Sequence, residues 1–173
     1  MRFDPQPTLQ GEKVMLRPLR AGDYDLLHKA AADPLIWEQH PQQNRHEPAV
    51  FRLFFDEAVR SGGALAIIDN ASGAIIGSSR FHGFNPDARE IEIGWTFLAR
   101  RYWGGAYNGE VKRLMLTHAF RYVQCVLFLI GRENVRSQKA VEKLGASRAG
   151  EHVKADGAAN FVYRLSAGRF RGE

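Results

Sequence analysis

Most features that assign a sequence to a functional class at sight are missing from this chain of 173 residues. Its single cysteine, Cys125, excludes an internal disulfide, and its six histidines lack the clustering of a zinc site. No apolar run is long enough to cross a bilayer, and no apolar signal segment follows Met1. The P-loop pattern and the dinucleotide pattern G-x-G-x-x-G do not occur. We therefore expect a cytoplasmic protein with no membrane partner and no metal.

The composition is that of a globular protein with a basic surface. Hydrophobic residues make up 45% and aromatic residues 11%, which suits a packed core. At this length, residues 1–173 are expected to form one domain. The formal net charge of +5 is compatible with a nucleic acid, a ribosome or an acidic cofactor as partner. No nucleic-acid-binding motif accompanies the charge, so we do not expect a nucleic-acid partner.

Hydrophobic periodicity and turn residues predict a mixed α/β fold with a largely antiparallel sheet. Apolar runs, alternating or continuous, predict strands at 13–17, 64–68, 74–78, 89–97, 125–130, 147–153 and 160–165. Helical periodicity predicts helices from Asp23, as a capping residue, to about 32, from 48 to 59, from 106 to 122 and from 134 to 144. The segments predicted to be loops are 39–47 and 81–87.

The most informative segment is a glycine-rich turn, residues 101–110, between a predicted strand and a predicted helix. Its pattern is Arg101-x-x-Gly104-x-Ala106. Such a turn leaves backbone N–H groups unpaired at the positive end of a helix dipole, where a phosphate or pyrophosphate binds. So loose a turn also weakens the start of a helix unless a ligand binds it. We predict that a diphosphate accepts hydrogen bonds from the N–H groups of residues 104–108.

The predicted strand at 89–97 carries the candidate general base. Strict alternation would place Ile91, Ile93, Trp95 and Phe97 on one face and Glu90, Glu92, Gly94 and Thr96 on the other. Glutamates on such a face are often only solvated, but this strand leads into the phosphate turn. A carboxylate there can act as a general base, which accepts a proton from a nucleophile as it attacks. Glu92, beside the space left by Gly94, is the first choice as base, followed by Glu90 and then His82.

Asn134 and Ser137 lie at the start of the last predicted helix. Asn134 is a good N-cap that can accept from the Ser137 N–H, and this structural role alone would explain the pair. Ser137 shares a helical face with Val141 and Leu144, so its hydroxyl is expected to point inward, where it could donate a proton to a leaving group. The alternative proton donors are Tyr102, Tyr107 and Tyr163.

Together these passages resemble the GNAT superfamily of N-acetyltransferases, and within it the RimJ/RimL-like branch that acetylates protein N-termini, including those of ribosomal proteins. The pattern Arg101-x-x-Gly104-x-Ala106 is similar to the acyl-coenzyme A signature of these enzymes. Residues 11–19 resemble the opening strand of the branch, and residues 92–95 resemble its central strand. The later Asn-x-x-Ser passage, 134–145, is similar to a further motif. The passages occur in the family's order and span nearly the whole chain.

The resemblance implies the GNAT acyl-CoA N-acyltransferase fold: a central, mixed but mostly antiparallel sheet, splayed between its fourth and fifth strands and flanked by about four helices. Acetyl-CoA would enter the split between strands 89–97 and 125–130. The acetyl group would pass directly to a primary amine without an acyl-enzyme intermediate. Ser137 would meet the thiol end of the cofactor. The cofactor-binding residues implied are Phe97, Leu98, Ala99, Arg101, Trp103, Gly104, Gly105, Ala106, Tyr107, Asn108, Asn134 and Ser137.

The sequence does not identify the acceptor amine. The assignment of a protein N-terminal α-amine as the acceptor rests on the resemblance alone. A small-molecule amine, such as a polyamine, an amino acid or an antibiotic, fits the same chemistry. The acceptor pocket is expected to come from residues 35–45 and from the loop around His82. A non-catalytic acyl-CoA binding or sensing module is the alternative to an enzyme, and a homodimer is compatible with either.

Overall fold

The computed structural model describes residues 2–170, which form an eight-stranded sheet with helices on both faces. The helices are α1 (Tyr24–Ala31), α2 (Pro48–Ser61), α3 (Ala106–Ala119) and α4 (Val135–Lys143). The strands are β1 (Leu9–Gln10), β2 (Val14–Pro18), β3 (Ala64–Asp69), β4 (Ile75–Asn85), β5 (Glu90–Leu98), β6 (Cys125–Gly131), β7 (Ser147–Val153) and β8 (Ala159–Ser166). Across the described part of the chain, no helix has the length and apolar character needed to cross a membrane.

The sheet is antiparallel except at its centre, which confirms the predicted mixed, mostly antiparallel architecture. The strand order is β1-β2-β3-β4-β5-β6-β8-β7, and within residues 2–170 only β5 and β6 pair in parallel. That pairing covers three residue pairs, the last of which is Glu92 with Leu127. Both strands then continue, to Leu98 and Gly131, without pairing to each other. The fourth and fifth predicted strands are β5 and β6 of the structure, so the predicted split in the sheet is present. It opens immediately after Glu92.

Each face of the sheet has its own apolar core. On one face, α3 and α4 cover a cluster that includes the fully buried Val111 and Val126. On the other face, α1 and α2 cover a cluster rich in aromatic side chains, among them Phe51 and Trp37. The split between β5 and β6 is consequently flanked by packed layers above and below the sheet.

The predicted strict alternation of side chains along β5 is wrong. From Gly94 to Phe97 this strand takes three steps while its partner β4 takes two. The extra residue is Trp95, whose φ of 52° marks a β-bulge. Trp95 and Phe97 therefore leave the face occupied by Ile91 and pack on the α2 side of the sheet. Strand alternation before the bulge places Glu92 on that same side.

Three further element predictions need correction. Residues 81–85 continue β4 instead of forming a loop, because they pair with β5. Helix α3 ends at Ala119, not at residue 122, because the chain turns there with hydrogen bonds from Tyr122 N and Val123 N to Ala119 O. Asp23 precedes α1 as predicted, but its carboxylate accepts from Arg17 and from a backbone N–H instead of capping that helix. Strand β1 has only two residues, too few to show a sequence pattern.

A buried carboxylate fixes the first strands to α3. Glu110 is 8% exposed and accepts hydrogen bonds from the backbone N–H groups of residues 12–14 at 2.8–2.9 Å. Burial raises the pKa of Glu110, but these three hydrogen bonds outweigh burial and lower the pKa below its usual range. A Cβ at Gly11 would lie 2.7 Å from the Glu110 carboxyl carbon, so the close approach requires glycine. The start of α3 is thereby held against the sheet.

Candidate active site

The glycine turn before α3 presents a row of unpaired backbone donors. Gly104 and Gly105 have φ values of 108° and 105°, in the left-handed region that favours glycine, and α3 begins at Ala106. Among the described residues, no acceptor meets the backbone N–H groups of residues 104–108. A Cβ added at either glycine would meet open space. The turn can therefore offer several N–H groups to an anion at the positive end of the α3 dipole.

Trp103 and Arg136 position this turn. Trp103 Nε1 donates to Leu98 O at 2.9 Å, which anchors the turn to the end of β5. Arg136 Cζ lies 3.8 Å from the centroid of the Trp103 ring, a cation–π contact between α4 and the turn. Arg136 Nη2 also donates to Ile36 O at 3.1 Å, so one side chain links the turn, α4 and the segment before α2. Arg101, in contrast, is exposed, and its Cζ lies 5.0 Å from the centroid of the Tyr102 ring.

A cavity of about 310 Å³ lies against the turn and the first residues of α3. Its lining includes Gly105 and Gly109 together with the cations Lys13 and Arg113. Glu110 also lines the cavity, where its carboxylate accepts from the backbone N–H groups of residues 12–14 and pairs with Arg113 at 3.4 Å. Free amides and two cations therefore make this cavity suitable for a phosphate-rich group.

The edge of β5 that faces the split is open beyond its short pairing with β6. Ala99 N–H donates to Ile76 O at 2.8 Å, so this N–H points toward β4 and away from the split. Strand alternation then directs the Leu98 N–H toward the split. The Phe97 side chain, 5% exposed, packs into the aromatic core on the α2 side. Of Phe97, Leu98 and Ala99, which the resemblance implies as cofactor-binding residues, Leu98 is the one whose N–H points into the split.

Glu92 lies where the split begins, and its side chain is half-buried. Burial raises the pKa of Glu92 to about 7, although the charges of Arg80 and Lys154 act in the opposite direction. A Cβ at Gly94 would lie 3.1 Å from Glu92 Oε1, so the glycine leaves space for the carboxylate as predicted. A carboxyl group with this pKa is well suited to accept a proton at neutral pH.

The two alternative bases are placed less favourably. Glu90 shares the sheet face of Glu92, but its carboxylate accepts from Arg164 Nη2 at 2.9 Å. His82 pairs with Glu92 across β4 and β5, yet it is exposed and packs edge-on against Trp95, with ring centroids 5.3 Å apart. Of the three groups, only Glu92 combines partial burial with a carboxylate that has no ion-pair partner within residues 2–170.

Asn134 and Ser137 form the N-terminal cap of α4. Asn134 Oδ1 accepts from the Ser137 N–H at 3.2 Å, so the structural role expected for this pair is present. The Ser137 hydroxyl makes no hydrogen bond to any other part of the described chain, and its side chain is half-buried. The cap therefore holds the residue in place while its hydroxyl stays free to donate.

The three tyrosine hydroxyls considered as proton donors already have acceptors. Those of Tyr102 and Tyr107 donate to Asp69, at 3.3 and 3.4 Å. The hydroxyl of Tyr163 donates to Glu142 Oε1 at 3.0 Å, and this side chain is 2% exposed. All three serve the packing of the fold, which leaves Ser137 as the candidate acid.

Sequence reasoning did not single out Arg80, whose charge acts on Glu92, or Arg45 within the segment 35–45. Arg80 on β4 is 2% exposed and pairs with Glu57 of α2 at 3.0 Å. Arg45, before α2, has its Cζ 4.6 Å from the centroid of the Phe54 ring. The one available signal was the arginine itself, which stands between Ser79 and Phe81 just past the predicted end of the strand at 78.

The comparison with known families decides what kind of protein carries this site. Residues 13–147 match the family model of the acetyltransferase (GNAT) domain, which is most of the chain. The chain belongs to the GNAT acetyltransferase family. GNAT acetyltransferases use acetyl-CoA, a thioester that carries a diphosphate. The free N–H groups of residues 104–108 and the electropositive cavity beside them fit that diphosphate.

Solved structures of GNAT proteins share the fold. A GCN5-related N-acetyltransferase from Brucella melitensis gives a TM-score of 0.83 at 21% identity, over 95% of this chain and 80% of its own. A GNAT-family acetyltransferase from Bacillus anthracis gives a TM-score of 0.75 at 17% identity, over 92% of this chain and 98% of its own. RimJ from Mycobacterium smegmatis, solved in complex with CoA-disulfide, gives 0.65 at 19% identity, over 90% and 82%. At these identities the likeness concerns the fold alone.

Proposed function

We propose that this GNAT protein is an acetyl-CoA-dependent N-acetyltransferase that acetylates a primary amine by direct transfer. One observation carries the proposal. The split in the sheet has a half-buried carboxyl group, Glu92, at its inner end and the free amides of residues 104–108 beyond its outer end. A base and an anion site joined by an open strand edge are what direct acyl transfer from a long, phosphate-bearing donor requires.

The proposed cofactor contacts follow the split from end to end. The amides of Gly104, Gly105, Ala106, Tyr107 and Asn108 would bind the diphosphate, with Arg101 and Trp103 beside them. The backbone of Phe97, Leu98 and Ala99 would run along the pantetheine arm, which Asn134 would contact from α4. The Leu98 N–H, directed into the split, is placed to donate to the thioester carbonyl oxygen as negative charge develops on it.

The proposed chemistry needs one base and one acid. Acetyl-CoA supplies the acetyl group as a thioester. Glu92 accepts the proton that the amine nitrogen loses as its bond to the acetyl carbon forms, and Ser137 donates to the sulfur as the carbon–sulfur bond breaks. Because the pKa of Glu92 is raised to about 7, its base form becomes dominant just above neutral pH. The rate should therefore rise with pH through about 7.

The proposed acceptor pocket comprises residues 35–45 and the strand around His82, on the α2 side of Glu92. Membership of the RimJ/RimL-like branch would make the acceptor a protein N-terminal α-amine in the cytoplasm. This proposal rests on the resemblance of residues 11–19, 92–95, 101–106 and 134–145 to that branch. A small-molecule amine is the second candidate, because the same base acts on any primary amine held beside it.

The test is a thiol-release assay with acetyl-CoA and a panel of N-terminal peptides, polyamines, amino acids and aminoglycosides. We expect Glu92→Gln to lower kcat by about 10²–10⁴-fold and to remove the rise in rate through pH 7. Glu90→Gln is the matched control. It makes the same chemical change on the same face of β5, but it removes only an ion pair with Arg164. Unchanged kinetics in Glu92→Gln would remove this residue from the mechanism.

The same assay separates an enzyme from an acyl-CoA sensor. Calorimetry that shows CoA binding without thiol release on any acceptor would favour a non-catalytic binding module. Absence of CoA binding at millimolar concentration would refute both functions.

A further inference from the structure

Beside Glu92 lies a group of positively charged side chains, here called the wall, which acetyl transfer itself does not require. Arg80 of β4 acts by its charge on Glu92. Arg45, in the segment before α2, lies near Arg80 and shares the Phe54 ring with it. Three aromatic rings lie around the two guanidinium groups, with centroids 4.3–5.9 Å from a Cζ: they belong to Phe54, Trp95 and Trp37. The charge of Arg80 acts on both Glu92 and Arg45.

Arg80 is buried with most of its donors unused. It is 2% exposed, and Nη1 donates to Glu57 Oε1 at 3.0 Å. Nε and Nη2 are also buried, and no acceptor for them exists within residues 2–170. Buried polar groups are almost always paired, and an unpaired charged donor is strongly destabilising. The two unpaired nitrogens therefore indicate a missing acceptor.

The two unused nitrogens form one edge of the guanidinium plane. Its flat face is already in use, because Cζ lies 4.3 Å from the centroid of the Trp95 ring. Nη1, on the far side, is paired with Glu57. What remains is the fork of Nε and Nη2, which matches the two oxygens of a carboxylate in a bidentate pair.

Arg45 adds a second charge of the same kind. Nη2 donates to Gln42 Oε1 at 2.9 Å, and Nη1 lies 3.2 Å from His40 Nε2. Nε is buried and has no acceptor in the described part of the chain. Burial lowers the pKa of Arg45 to about 10, which leaves it charged at neutral pH. Neither of its two side-chain partners, a neutral amide and an imidazole, compensates that charge.

The carboxylates nearby do not neutralise the cluster. Glu57 is 62% exposed and takes one N–H of Arg80. Glu92, with its pKa of about 7, carries only part of a charge at neutral pH. Lys154 contributes a further positive charge that acts on both Glu92 and His40. The wall is therefore positive at the place where an amine has to be deprotonated.

We propose that the acceptor carries a carboxylate next to its primary amine, and that Arg80, assisted by Arg45, binds this carboxylate while Glu92 takes the amine proton. This inference rests on the proposed acetyltransferase function. A positive wall repels a protonated amine such as a polyamine, whereas it holds the acidic group of an amino acid. Free amino acids and peptides that begin with Asp or Glu share this chemistry.

The test compares acids with their own amides as acceptors. One series sets alanine, aspartate and glutamate against their amides; the other sets peptides beginning with Asp or Glu against those beginning with Asn or Gln. We expect kcat/KM to be at least tenfold higher for the acids than for their amides in one of the two series. The series that shows the difference identifies whether the carboxylate belongs to a free amino acid or to the first side chain of a peptide. Arg80→Met should bring the ratio close to one. Arg52→Met, a half-exposed arginine on the outer side of α2, should preserve it.

Three outcomes decide the inference. Equal rates on acids and amides would overturn it and leave the acetyltransferase function standing. If no amine is acetylated, calorimetry on the CoA-loaded protein decides whether the carboxylate site exists. The probes are N-acetylaspartate and its diamide. Tighter binding of the acid, lost in Arg80→Met, would support the carboxylate site while refuting the enzyme; equal binding of both probes would overturn the site. If Arg80→Met fails to fold, Arg80→Lys replaces it, because lysine keeps the charge but loses the fork.

Discussion

Lys112, on α3, should make the stability of this protein rise with pH between 7 and 9. The side chain is 5% exposed, and Nζ donates to Thr96 Oγ1 at 2.6 Å, which in turn lies 2.7 Å from Ser79 Oγ. The Phe128 ring, with its centroid 5.6 Å from Nζ, is the other close neighbour. Burial lowers the pKa of Lys112 from 10.5 to about 7. No carboxylate among residues 2–170 lies within ion-pair distance of this amine to offset its burial.

The magnitude follows from proton linkage. Between pH 7 and the ordinary lysine pKa, the unfolded chain holds a proton on Lys112 that the folded protein has largely released. Raising the pH therefore favours the folded state. With one pKa unit equal to about 1.4 kcal/mol, this group alone adds about 2 kcal/mol to the free energy of unfolding between pH 7 and pH 9. That change corresponds to about 4–8 °C in Tm for a chain of this size.

Urea unfolding of the wild type and of Lys112→Met at pH 7 and pH 9 measures the effect. Methionine has a similar length and no charge, and Thr96 keeps its bond to Ser79. Other titrating groups are common to both proteins, so the difference between the two pH dependences isolates Lys112. Lys29→Met, an exposed lysine on α1, is the control and should behave as the wild type. If the wild type and Lys112→Met changed in parallel from pH 7 to pH 9, burial of an uncompensated amine would be refuted.

Further substitutions test the glycine turn and the carboxylate that holds α3. Gly105→Ala should weaken CoA binding in calorimetry, because alanine disfavours the φ of 105°. Gly62→Ala, at a φ of 66° after α2 and also with open space for its Cβ, is the control and should keep binding. Equal affinities in the two variants would contradict the role of the turn. Glu110→Gln should lower the free energy of unfolding by about 2–3 kcal/mol, since an amide cannot accept all three backbone N–H groups. Because the pKa of Glu110 is lowered, the wild type's advantage should vanish as pH falls through that pKa, and an advantage that persisted in acid would count against this account.

The order of strands and helices, the glycine turn and the carboxylate on β5 were all predictable from the amino-acid sequence. Each is written in a short stretch of chain, as a period of apolar residues, as glycines before a helix, or as a polar position on a strand. The cap made by Asn134 on Ser137 is local in the same way, since it spans three residues.

The choice among chemical groups was decided by contacts between distant parts of the chain. The bulge at Trp95 set which face of β5 its side chains occupy, and it arises from the pairing of β5 with β4, not from a local signal. Arg164 on β8 pairs with Glu90 and leaves Glu92 as the half-buried carboxyl with a raised pKa. Burial, and the pKa shifts and unpaired donors that follow from it, depends on which segments pack together, and a reading of one segment at a time does not contain that information.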